Sequence, residues 1–180
     1  DVYKRQENDI MLGLRYLNDL ARKQGMPLVI CVALGTSFGG HNGDSLLADI
    51  LDIYATVRNR CVVVGTGNEA ARRHHYFNRF TDAQDMRTAE IRVGEGTQSF
   101  AVELWSTLPN IVMVSVTSPS GERTGMIPIR LGYLFDFSFT FERTTITVEY
   151  RLLQRNNDAQ LVFIRFQNAV PGIWLSLIHI

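Results

Sequence analysis

No stretch of the chain approaches the ~20 consecutive apolar residues that a membrane-crossing helix needs, so no membrane span is expected. Neither sign of charge prevails. Lys and Arg number 18, Asp and Glu number 18, and the formal net charge is zero. Bulk electrostatics therefore supply no drive toward nucleic acid or an anionic membrane surface. Cysteine is scarce: Cys31 and Cys61 are the only two, and each sits in an apolar, strand-like run. They read as small buried hydrophobes, not as metal ligands or a disulfide pair. No spacing of histidine with cysteine or carboxylate fits a zinc motif, and no cofactor is expected. Internal repeats and low-complexity tracts are also missing.

What is there is ordinary globular composition, with 180 residues, 46% hydrophobic and 20% charged, enough for one domain or two small ones. Both ends stand apart. Asp1-Val2-Tyr3-Lys4-Arg5-Gln6 and Leu175-Ser176-Leu177-Ile178-His179-Ile180 resemble translated sequencing-adapter read-through. Residues 1–6 and 175–180 are therefore expected to be non-native, and residues 7–174 to be an internal fragment of a longer protein.

Hydrophobic periodicity divides the rest in two. Ile10, Met11, Leu14, Leu17 and Ala21 recur at helical spacing, with Arg22 and Lys23 in the last turn and Gly25 as a stop. Pro27 to Leu34 is a continuous apolar run, which suits a strand covered on both faces in a parallel sheet. Asp44 or Ser45 can cap a second helix carrying Leu47, Ile50, Leu51 and Tyr54, and Cys61 to Val64 is the next strand. This strand–helix–strand unit has the length of a parallel crossover. From about Arg87 the period becomes two. Phe100, Val102 and Leu104 alternate with Ala101 and Glu103, and Ile146, Val148 and Tyr150 alternate with Thr145, Thr147 and Glu149. Ile111–Val116, Met126–Leu131, Tyr133–Phe141 and Leu161–Phe166 are further strand-like runs. They are separated by turn signals at Pro109-Asn110, Pro119-Ser120-Gly121 and Asn156-Asn157-Asp158. Such spacing predicts an antiparallel sandwich or jelly roll. Residues 7–76 form the first part, 77–86 the seam and 87–174 the second part.

The chemistry is concentrated at the ends of the two apolar strands. In an open parallel sheet, ligands bind beyond the carboxyl ends of strands. Leu34-Gly35 and Gly65-Thr66-Gly67-Asn68 occupy two such ends, on the same side of the sheet. Glycine permits close backbone approach by a ligand. Asn68 there is a neutral amide placed to donate a hydrogen bond to a developing oxyanion. Two rival motifs overlap these segments. Gly35-Thr36-Ser37-Phe38-Gly39 matches a nucleophile elbow, but three glycines within Gly39–Gly43 intervene before any helix. Gly65-Thr66-Gly67-Asn68-Glu69-Ala70 fits a dinucleotide fingerprint, but Arg72-Arg73-His74-His75-Tyr76 lacks the apolar stripe of the required helix. His41, His74 and His75 read as solvated loop residues, Arg72-Arg73 as a surface basic cluster, and the Phe135, Phe137, Phe139, Phe141 ladder as packing on one strand face.

The segments Gly67-Asn68-Glu69 and Ala33-Leu34-Gly35 together resemble the G-N-E and S-L-G segments of subtilisin-like serine peptidases (subtilases), with alanine in place of serine at 33. The loop from Leu34 to Leu47 is similar to the L-G-T-x-x-G-x-H-x-G-x-S-L-L loop of a bacterial branch that includes the clostridial germination proteases. The resemblance covers most of residues 9–174. It implies an α/β fold: a partial subtilisin-like parallel-sheet core (strand–helix–strand), followed by an antiparallel β-sandwich or jelly roll inserted between the oxyanion asparagine and the nucleophilic serine. It implies a serine endopeptidase in which Asn68 is the oxyanion donor. Ala33, Leu34, Gly35, Gly65, Thr66 and Gly67 would help bind the substrate. Its partners would be peptide or protein substrates, with a propeptide as a further one, and its setting bacterial, extracytoplasmic or spore-associated. A subtilase triad runs aspartate, histidine, serine along the chain. The first two are expected before residue 7 and the serine after residue 174, so the fragment by itself is expected to be inactive. Some members of the branch look like pseudoproteases, which makes a catalytically dead receptor or scaffold the alternative.

Overall fold

The computed structural model describes residues 7–43, 45–69, 71–153 and 158–179. The cap expected of Asp44, the last position of the dinucleotide fingerprint (Ala70), the turn residues Asn156 and Asn157, and the end positions 1–6 and 180 lie outside them. The chain divides into two compact units, with the boundary between His75 and Tyr76.

The first unit begins with helix α1, Glu7–Lys23. Glu7 and Asp9 lie in its first turn and Arg22 and Lys23 in its last, which suits the helix dipole at both ends. It ends in a Schellman cap: Met26 N–H donates to the Ala21 carbonyl and Gly25 N–H to the Arg22 carbonyl. Strand β1, Leu28–Val32, follows, then helix α2, Leu46–Thr56, and strand β2, Arg60–Val64. Ser45 caps α2, its hydroxyl accepting from Ala48 N–H at 3.1 Å. The Arg60 guanidinium ties the start of β2 to α1 through Asn18 Oδ1 at 3.0 Å.

β1 and β2 pair in parallel, from Leu28 opposite Arg60 to Val32 opposite Val64. Leu14 of α1 and Leu51 of α2 pack with Ile30, Val32 and Val62, so both helices cover the same sheet face. The opposite face carries Val29, Cys31, Cys61 and Val63, all exposed. One expectation is corrected: both cysteines, expected to be buried, are exposed free thiols. Among the described residues of this unit, α1 and α2 cover one face of the strands. Adjacent residues of a strand point to opposite faces. An apolar run without alternation therefore does not reveal which face α1 and α2 cover.

The second unit is a β-sandwich. One sheet has the order β3 (Met86–Val93), β9 (Gly172–His179), β5 (Met113–Thr117). The other has the order β4 (Ser99–Thr107), β8 (Ala159–Gln167), β7 (Thr145–Leu153), β6 (Leu134–Ser138). All pairings in both sheets are antiparallel. Inward residues of the two sheets meet in one core. Trp174 of β9 stands edge-on to Phe139 at 4.9 Å and to Phe166 of β8 at 5.4 Å, and Phe166 stacks on Phe100 of β4 at 4.5 Å. Such aromatic pairs favour these geometries beyond the area they bury. The run Met126–Leu131, expected as a strand, makes only isolated bridges through Ile127 and Leu131. Leu175 to His179, set apart in the sequence, continue β9, the central strand of its sheet, hydrogen-bonded to β3 and β5.

Candidate functional site

The two glycine-rich segments of the first unit leave adjacent parallel strands side by side. The ladder runs one bond beyond the strands, with Gly65 N–H donating to the Val32 carbonyl at 3.1 Å. A Cβ placed on Gly35 would meet the Cα of Gly67 at 3.4 Å. Any side chain at position 35 would therefore touch the turn at Gly67, so the backbones after β1 and after β2 run close together. Gly67 has φ +85°, in the left-handed region that side chains other than glycine's rarely adopt. That turn carries the chain from Thr66 into Asn68. Ala33, Leu34, Gly35, Gly65, Thr66, Gly67 and Asn68 are all exposed. The structure thus brings the predicted site residues together at one end of the sheet, with the amide of Asn68 open to solvent and backbone accessible around it.

An exposed amide close to two exposed strand ends can donate to an anionic or carbonyl oxygen, and exposed backbone of this kind can pair with an extended peptide. The two rival motifs find no support. Helix α2 begins only at Leu46, so Ser37 is not on a strand-to-helix elbow; the hydroxyl held nearby is that of Thr36, which accepts from Phe38 N–H at 3.0 Å. No helix opens in the described residues that follow Gly67, as dinucleotide binding would require. Among the described residues, no group of three or more His, Cys, Asp and Glu side chains could hold a metal ion.

The histidines are exposed, but they are not isolated. His74 Nδ1 lies 2.5 Å from Glu69 Oε2, and Arg72 Nη1 lies 3.7 Å from Glu69 Oε1. The ring of His75 meets that of His41 edge-on at 4.9 Å between centroids. Sequence reasoning missed these contacts. The only cue to the first is a carboxylate five residues before a histidine; Arg73 between them takes φ +54°.

Across 97% of its length the chain is similar in fold to the Clostridium perfringens CspB protease. The TM-score is 0.83 and the sequence identity 23%. The chain spans 37% of the length of that protease. No model of a protein family matches the chain, and no curated protein does.

Proposed function

We propose that the chain is part of a subtilisin-like serine endopeptidase, contributing the oxyanion donor and part of the substrate cleft. The observation that carries this reading is the position of Asn68. It lies in the loop after β2, next to Gly67, whose Cα comes close to Gly35 in the loop after β1, in a fold similar to a segment of a clostridial protease. In this reading the substrate backbone adds as a strand along Ala33-Leu34-Gly35. A serine outside this chain attacks the scissile carbonyl, assisted by a histidine and an aspartate also outside it. As the carbonyl oxygen gains charge, the Asn68 side chain donates to it. Gly65, Thr66 and Gly67 leave room for the substrate and aim the amide. The sandwich of the second unit would be a jelly roll inserted between Asn68 and the serine.

The test is Asn68→Ala in the full-length protein, assayed on a peptide substrate. Turnover should fall roughly 100- to 1,000-fold with KM little changed; that range is the one known for removing this kind of donor from a subtilisin. Unchanged turnover would remove the oxyanion role. A full-length protein that folds but cleaves no peptide, with triad positions replaced, would be the receptor or scaffold.

A further inference from the structure

We infer that Glu69 and His74 are positioning residues for Asn68, closing a clasp that holds its amide in place; this rests on the oxyanion role proposed above. The clasp begins at the residue after Asn68. Glu69 uses its carboxylate twice within the same turn, toward Arg72 Nη1 at 3.7 Å and toward His74 Nδ1 at 2.5 Å. Its carbonyl accepts from Arg72 N–H at 2.8 Å. The turn then passes through Arg73 in the left-handed region, a conformation that a side chain other than glycine's holds at a cost. The fold-back places His74 against Glu69, and the next residue, His75, against the ring of His41. His41 belongs to the loop after β1, the same loop that carries Gly35. The segments after β1 and β2 are thereby joined twice, by the Gly35–Gly67 approach and by the His41–His75 rings, with Asn68 between the two junctions along the chain.

The clasp contributes little to overall stability. The side chains of Glu69 and His74 are 47% and 52% exposed, and exposed pairs of this kind contribute little. Their effect is geometric. An oxyanion donor works only if it is aimed before charge develops, and a misplacement of about 1 Å can cost roughly 100-fold in rate.

A double-mutant cycle in the full-length protein separates positioning from structure. Glu69→Ala should lower kcat about tenfold, part of that ~100-fold limit, with KM and melting temperature nearly unchanged. In an Asn68→Ala background the same substitution should have no further effect on kcat, because the group it positions is gone. Glu69→Gln, which keeps an oxygen to accept from His74, should restore most of the turnover. His74→Ala supplies the same cycle if Glu69→Ala does not fold. Losses that multiply, or a Glu69→Ala enzyme with full kcat and a lower melting temperature, would overturn the clasp while leaving Asn68 as the donor. If Asn68→Ala alone leaves kcat intact, the oxyanion role falls and the clasp's function with it, a pattern distinct from multiplied losses.

Discussion

Gln160 offers the sharpest test of how the sandwich is held together. It lies on β8 and is fully buried. Its Oε1 accepts from Val112 N–H at 2.6 Å and from the Ser106 hydroxyl at 3.1 Å, and its Nε2 donates to the Val112 carbonyl at 3.0 Å. Ser106 is on β4, in the same sheet, whereas Val112 immediately precedes β5 in the other sheet. One amide thus satisfies both backbone groups of Val112 across the sandwich. Gln160→Leu keeps the approximate volume and removes all three bonds. The Ser106 hydroxyl still has the Asn110 carbonyl at 3.2 Å, so the cost falls on Val112 N–H and C=O. A stranded buried backbone group costs roughly 1–3 kcal/mol, giving about 2–6 kcal/mol for the pair. The added apolar character of leucine offsets about 1 kcal/mol of this. The expected loss is then about 1–5 kcal/mol, read as a lower urea midpoint at an unchanged slope. Fluorescence reports the transition, since Trp174 is buried in the sandwich core. A loss below ~1 kcal/mol would show that Val112 is satisfied without Gln160, and would refute the reasoning.

Two further outcomes follow from the described surfaces and charges. Cys31 and Cys61 lie on the sheet face opposite the one that α1 and α2 cover, so both thiols should react with an aromatic disulfide reagent without denaturant. Thiols that react only after unfolding would show that face to be covered. Glu149 is held below its ordinary value of 4.5 by hydrogen bonds from Arg151 at 2.7 and 2.6 Å, against an opposing effect of partial burial. A lowered carboxylate contributes stability that is present above its unfolded pKa and lost as pH falls through the folded one. The urea midpoint should therefore decline below about pH 4.5, and Arg151→Gln should flatten that decline. The Arg151 side chain is 54% exposed, so the effect should be under ~1 kcal/mol.

The features legible in the sequence are those whose cause is local. The α1 stop at Gly25, the Ser45 cap and the alternation in β4 and β7 depend on residues within a turn or a strand of one another, and the structure contains each of them. The features that were not legible depend on what a strand or loop meets elsewhere. Leu28–Val32 is apolar throughout, and only the placement of α1 and α2 decides that Ile30 and Val32 are inside and Val29 and Cys31 outside. The phenylalanine ladder shows the same limit. Phe135, Phe137 and Phe139 pack on the core, but β6 ends at Ser138 and Phe141 is 80% exposed in the turn beyond. The candidate site joins both kinds of information. Its residue types were readable because glycine-rich strand ends and an amide are adjacent in sequence. Its geometry was not, because Gly35 approaches Gly67 and His41 meets His75 from opposite sides of α2 in the sequence, and the Glu69–His74 pair forms around Arg73 at φ +54°. A local motif can therefore nominate Asn68, whereas the approach of its loop to the loop after β1 joins residues on either side of α2 in the sequence, and only the three-dimensional structure reveals it.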